Sequence, residues 1–330
     1  MYSGLITKKI VRVVVKAVGF IVLLAVLLVH RNVEFSTTCN IVGYLAYQLG
    51  ATTDHSVYVD KDVVFYKEES YKYVFKNEEI CKKKPPYLVI FVKSSPQNVA
   101  QRNAIRQTWG DIAGWKMKMN HEIIIAFMVG WTNQSNSDLT KENAVYGDVV
   151  QKDFVDTFNN LTIKLVSQLN WMTRFCRYSK FFMTTDDDVF VHVPNLLQFL
   201  ENTSETIIYT GCVFSGSAPN RNKESKYYVP YSSYPGLFFP SYCAGAGYIL
   251  SNTLVTKLFK QSELIPALYI DDAYVGILAK SVNCVPQHNA KFTCGTNIDS
   301  DKDFITSHSY DPTAMKTRFQ KLTLQQLSTA

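Results

Sequence analysis

Two strand-length runs in this chain have no polar face. "YLVIFVK" (87–93) and "EIIIAFMVG" (122–130) are apolar almost throughout, so strands made from them must be covered on both sides, and "KFFMTT" (180–185) reads as a further strand with an apolar start. Between the runs the period changes. "NVAQRNAIRQTWG" has helical spacing, stops at Gly110, and carries Arg102 and Arg106 four apart on one face. "LTIKLVSQLNWMTRFC" places apolar residues at 161, 165, 169, 172 and 176, a helical stripe. Two-sided strands alternating with helices predict an α/β domain with a mostly parallel sheet flanked by helices. Ligands of such sheets bind beyond the carboxyl ends of the strands.

An acidic triplet sits at such an end. Asp186, Asp187 and Asp188 follow "KFFMTT" at once, and Pro194 then opens the helical "PNLLQFLE" from a first-turn position. The period of two of an extended chain sends Asp186 and Asp188 into one crevice and Asp187 away from it. Hard carboxylate oxygens select Mg²⁺ or Mn²⁺, and such an ion bridges to a diphosphate. Alone, the triplet fits an acidic turn capping a helix equally well. A calcium loop is disfavoured, because the spaced Asp/Asn pattern and the distal Glu are missing. A second acid pair, Asp271 and Asp272 in "LIPALYIDDAYVGILAK", stands between an apolar and a helical stretch. Asp271 reads as an N-cap. Asp272 then falls in the first helical turn, where the helix dipole favours its charged form and the neighbouring carboxylate raises its basicity. That makes it a candidate general base.

Other chemistries lack their motifs. There is no GxxxxGK[ST] and no GxSxG, "GAGYILS" lacks the third glycine of a dinucleotide fingerprint, and "HEIII" has Ile125 where a zinc site needs histidine. At 330 residues and 47% hydrophobic the chain can bury one large core or two modest ones. Its net charge of +6 suits an anionic ligand but is too diffuse to argue for nucleic acid. Lys82-Lys83-Lys84, followed by Pro85-Pro86, reads as a solvated linker.

The N-terminus predicts a membrane anchor. Residues 17–29 carry no charge and the apolar character reaches back to Ile10, around Arg12 and Lys16, which can snorkel. Basic residues crowd the N-terminal side, so the positive-inside rule gives a cytoplasmic tail (1–9), a single span (10–29), a lumenal stem (30–84) and a lumenal domain (85–330). "LLVHRNVEF" offers no small-x-small cleavage site, which disfavours a cleaved signal peptide. Asn133, Asn160 and Asn202 stand in N-glycosylation triplets. Seven isolated cysteines argue against zinc, and the short separation of Cys284 and Cys294 suggests a disulfide between them.

The blocks "PPYLVIFVKSSPQNVAQRNAIRQTWG", "YGDVVQKDFVDTFNNLTIKLVSQLNW", "FFMTTDDDVFVHVPNL", "YPGLFFPSYCAGAGYILS" and "IDDAYVGILAK" resemble glycosyltransferase family 31. These are β-1,3-galactosyltransferase and β-1,3-N-acetylglucosaminyltransferase relatives. The resemblance covers roughly residues 85–311 in the family's order. It implies a GT-A-type nucleotide-sugar-binding fold, a UDP-sugar donor, Mn²⁺ with Mg²⁺ as the alternative, and inversion in forming a β-1,3 linkage to a glycan on glycoprotein or glycolipid. Galactose is the first donor expected and N-acetylhexosamine the second. The setting implied is the Golgi membrane, as a type II protein, alone or as a homo- or hetero-oligomer.

By the same resemblance, Asp188, with Asp186 and His308 of "ITSHSYDPTAM", would hold the metal. Asp272 would be the base. Asp186, Asp187, Arg102, Arg106, Trp109, Gly245 and Gly247 would contact the sugar nucleotide, and Tyr242 would lie beside donor or acceptor. Gln101, Tyr227 and Ala273 depart from the family pattern. A non-catalytic sugar-nucleotide-binding or escort relative is the alternative of another class. A phosphohydrolase is disfavoured because "DDDVF" lacks the Thr of DxDxT, and a structural membrane protein leaves the recurring acids unexplained.

Overall fold

The computed structural model describes residues 66–67, 70–82, 84–115, 121–132, 136–203, 207–295 and 303–329. The expected tail, the anchor at 10–29, most of the stem and the Asn133 triplet lie outside the described residues. Among the described residues no helix is long and apolar enough to cross a membrane.

The chain divides into two units, one of them residues 64–215 with 240–330. The described part of the other is the segment 216–239. Arg221 organises that segment from within: its guanidinium donates to the carbonyls of Val229, Tyr234 and Gly236 and lies 3.9 Å from the centre of the Tyr231 ring.

The larger unit is built on an eight-stranded sheet. In chain order its elements are β1 (Tyr73–Phe75), β2 (Leu88–Lys93), α1 (Val99–Arg106), β3 (Ile123–Trp131), α2 (Asn136–Tyr146), β4 (Val149–Val155), α3 (Leu161–Phe175) and β5 (Phe181–Asp186). Then come β6 (Phe190–Val191), α4 (Val193–Glu201), β7 (Tyr209–Phe214), β8 (Tyr242–Ser251), α5 (Asn252–Ser262), α6 (Asp271–Ser281), β9 (Gln287–His288), β10 (Thr306–Ser307) and α7 (Pro312–Thr329). The sheet order is β1-β4-β3-β2-β5-β8-β7-β9, with β6 and β10 forming a separate pair.

The middle of the sheet follows from the apolar runs. All six residues of β2 are buried, and β4, β3, β2 and β5 run parallel, the arrangement in which strands are covered on both faces. The flanks are mixed: β1 is antiparallel to β4, and β8 is antiparallel to both β5 and β7. β1 lies before residue 85, yet it supplies an edge of this sheet. Chain order runs outward from β2 through β3 to β4, then returns to the other side of β2 for β5. The order therefore reverses between β2 and β5, and a crevice opens at their carboxyl ends. There the last residues of the two strands, Lys93 and Asp186, stand opposite each other.

Two disulfides tie the unit, Cys81–Cys176 and Cys212–Cys294. The expected Cys284–Cys294 bridge is absent and Cys284 is free. β9 runs alongside β7, pairing Gly211 with His288, and this carries the following segment back to Cys212. Sequence nearness is overridden by strand pairing. Non-reducing peptide mapping should recover Cys81–Cys176 and Cys212–Cys294, and replacing Cys81 and Cys176 by Ala should cost about 2–5 kcal/mol in urea unfolding.

Candidate active site

Lys93 ends a strand that is otherwise apolar, and its side chain is only 3% exposed. Its ammonium lies 3.1 Å from Asp186 Oδ1 and 2.8 Å from Asp271 Oδ2. Burial alone would lower its pKa, but the two carboxylates outweigh that and raise it. Asp186 is itself pushed up, first by burial and then by Asp271, against the pull of Lys93. Asp271 is not the N-cap of α6. Ile270 holds that place without a side-chain cap, and the Asp271 carboxylate turns to Lys93 instead.

Asp272 follows in the first turn of α6. Its Oδ2 accepts from the Gly245 N–H at 3.2 Å and its Oδ1 from the Ala273 N–H at 2.7 Å. Burial, then the charge of Asp271, push its pKa up to about 7. A carboxylate with a pKa there is suited to accept a proton near neutral pH.

The other half of the site is assembled by the short β6–β10 pair. Thr306 pairs with Val191 and Ser307 with Phe190, and the Tyr310 N–H donates to the Asp188 carbonyl. His308, between them, places Nε2 3.3 Å from Asp188 Oδ2. This contact raises the His308 pKa, and it holds Asp188 below the usual carboxylate value although burial opposes it. Asp186, Asp188 and His308 bring their ligand atoms within 4.8 Å of one another, and all three are partly exposed. Two carboxylates and an imidazole are a donor set that Mn²⁺ accepts, so these residues fit the ion.

Asp187 turns away from that cluster. Its Oδ2 accepts from the Ser94 hydroxyl at 2.7 Å and from Asn98 Nδ2 at 2.9 Å, which binds the acidic turn to the β2–α1 loop. Arg102 backs this loop. It is fully buried, donates from Nη1 to Ser94 Oγ at 3.0 Å, and forms a two-pronged pair with Glu142 at 2.7 Å on each prong. Arg106 pairs with Glu142 and Asp148 and lies over the rings of Phe127 and Tyr146. Trp109 is wholly inside the core. Arg102 and Trp109, expected beside the sugar nucleotide, are thus placed in the interior behind the site, and Arg106, expected there too, is partly exposed and engaged by Glu142 and Asp148.

The two glycines differ. Gly245 supplies the N–H that holds Asp272. Gly247 has φ +155°, and a Cβ there would come 3.0 Å from Thr306 Cγ2, so it lets β10 approach β8. Tyr242, at the start of β8, is partly exposed beside Phe214. Sequence reasoning missed Lys93, Ser94 and Asn98. The one available signal was a lysine closing a strand with two buried faces.

Fold and site together define an α/β protein with a cluster of acids and one histidine where its strand order reverses. The chain belongs to the Galactosyltransferase family, whose model matches residues 100–290. It is 41% identical over 232 residues to the lactosylceramide 1,3-N-acetyl-β-D-glucosaminyltransferase of Xenopus tropicalis, covering 68% of this chain and 62% of that one. Proteins of the same description from rat and human are 36% identical over 251 residues (72% and 67% covered) and 37% identical over 232 residues (68% and 61% covered). The match thus spans a little over three fifths of the Xenopus relative's length. A solved glycosyltransferase involved in glycosylation of the major capsid of PBCV-1 aligns over 72% of this chain and 100% of its own at 10% identity. Its TM-score of 0.37 is too low to decide anything.

Arg102→Met tests the interior placement. It leaves the buried Glu142 and the Ser95 and Pro96 carbonyls short of a donor, and it should cost about 3–5 kcal/mol in urea unfolding.

Proposed function

We propose that this chain is an inverting β-1,3-N-acetylhexosaminyltransferase that moves N-acetylglucosamine from a UDP-sugar to a hydroxyl of a glycan. One observation carries the reading: a carboxylate with a pKa near 7, Asp272, is tied through Asp271, Lys93 and Asp186 to a cation-type cluster at one strand-order reversal. Galactose, the first donor expected from the sequence, yields to N-acetylglucosamine. The names of the relatives support that choice and a lactosyl-ended glycolipid as acceptor. The two disulfides support an oxidising, lumenal setting, with residues 10–29 as Golgi membrane anchor.

In this mechanism Asp188, Asp186 and His308 would hold Mn²⁺, or Mg²⁺ in its place. The ion supplies charge neutralisation for the departing diphosphate. Asp272 takes the proton of the acceptor hydroxyl while that oxygen bonds to the anomeric carbon on the face opposite UDP. The carbon–oxygen bond to UDP breaks as the new one forms, and the configuration inverts. The Gly245 N–H fixes the carboxylate's direction. Burial and Asp271 hold its basicity high enough to receive a proton yet low enough to be ionised above neutral pH.

UDP release by the purified protein, with UDP-N-acetylglucosamine, UDP-N-acetylgalactosamine and UDP-galactose and a lactose-ended acceptor, tests the reading. Turnover is expected with UDP-N-acetylglucosamine and is abolished by EDTA; its absence with every donor would sink the proposal. Asp272→Asn should lower kcat/KM by about 10²–10⁴-fold with the fold intact by circular dichroism. The base works deprotonated, so wild-type kcat/KM should fall about tenfold per pH unit below an apparent pKa near 7. Asp188→Asn and His308→Ala should each weaken Mn²⁺ binding at least about tenfold by electron paramagnetic resonance.

A further inference from the structure

We propose that Lys93 is a positioning residue that sets the separation between the two halves of the site. The inference rests on the reading above and deepens it: one ammonium orients both the cation cluster and the helix end that presents the base.

Lys93 is the last residue of β2, and the rest of that strand is apolar except for this side chain. An apolar residue would pack there at no electrostatic cost. Instead the chain buries an ammonium and holds it with carboxylates from two different elements, the end of β5 and the first residue of α6. Each carboxylate leads to one half of the chemistry. Lys93 engages Oδ1 of Asp186, so the rotation of that carboxylate relative to Asp188 and His308 is fixed from behind. Groups in this outer position orient the atoms that touch a metal.

Asp271 leads to the other half. Held by Lys93, it fixes the roll of the first turn of α6, and Asp272 is the next residue of that turn. Lys93 and Asp272 also border one small space. A Cβ built on Gly245 would lie 3.6 Å from Asp272 Oδ2 and 3.7 Å from Lys93 Nζ. The cluster that faces the leaving group and the carboxylate that faces the nucleophile are therefore referred to one atom. An in-line displacement needs those two positions kept at one spacing.

A plain counter-charge would explain the burial too, and the double variant Lys93→Met/Asp271→Asn separates the two roles. It removes one positive and one negative charge, so the local balance is kept while both tethers are lost. The proposal expects a melting temperature within a few degrees of wild type, Mn²⁺ affinity by electron paramagnetic resonance lowered about 10–100-fold, and kcat lowered about 10–100-fold at an acceptor KM changed less than about threefold. Mn²⁺ affinity and kcat both within about threefold of wild type would show a counter-charge only and overturn it. Should the double variant not fold, Asp271→Ala alone decides, because it removes the acceptor that Lys93 holds, with kcat read on the high-pH plateau, where the lost charge of Asp271 no longer changes the ionisation of Asp272. At saturating Mn²⁺ its kcat should still fall at least about tenfold with KM held, and an unchanged kcat would overturn the proposal. A wild-type protein that neither binds Mn²⁺ nor releases UDP would instead sink the functional reading, and the positioning role with it.

Discussion

The register between β2 and β5 decides where every charged group of the site can stand. Leu88 pairs with Phe181, and the pairing runs in step to Lys93 and Asp186. A slip of one residue would turn each side chain to the other face of the sheet. Because β2 and the first half of β5 are apolar and buried on both sides, core packing sets the register before any charge is met, and Thr184 and Thr185 secure it through Gln168 and the Ala246 carbonyl. The charges come last, at the carboxyl ends, in the crevice that the reversal of strand order leaves open.

Behind that crevice lies a set of buried cations, each matched by an acceptor. Lys164 donates to the Ser94 carbonyl and to Asp156, and Lys152 reaches the Tyr66 hydroxyl and lies over the Tyr73 ring. Arg102 is met by Glu142, Ser94 and two loop carbonyls. Such pairs are weak contributors to net stability, because desolvation offsets most of the attraction, yet losing one partner costs several kcal/mol. Their effect here is geometric. Ser94, at the centre, takes a hydrogen bond from Arg102, gives one to Asp187 and lends its carbonyl to Lys164. The acidic turn is thereby braced from the interior.

Much of this was legible in the residues. Two-sided strands and a helical stripe announce themselves by period, so β2, β3, β5 and α3 fall where "YLVIFVK", "EIIIAFMVG", "KFFMTT" and "LTIKLVSQLNWMTRFC" put them. Asp186 and Asp188 come together and Asp187 apart, as the period of two suggested, but the cause is a turn: β5 ends at Asp186, and the Val189 N–H closes back on the Asp186 carbonyl. What was hidden depended on long-range contact. Arg102 and Arg106 share a helical face whether that face meets water or Glu142, and period cannot tell the two apart. Asp271 looked like a cap because caps are local, whereas its partner is 178 residues away. Cys294 found Cys212 only through the pairing of β9 with β7.

The two-residue pairing of β6 with β10 bears on the order of events during synthesis. The acids of the cluster are made early and lie at the end of a parallel strand, but His308 arrives only when β10 is laid against β6. A nascent chain folds from its N-terminus as it emerges. Until Thr306 and Ser307 have been added, the carboxylates of Asp186 and Asp188 stand together with no imidazole between them. Completion of the cluster thus waits for the last part of the chain, the same part that brings Phe304, Ile305 and Met315 into the core.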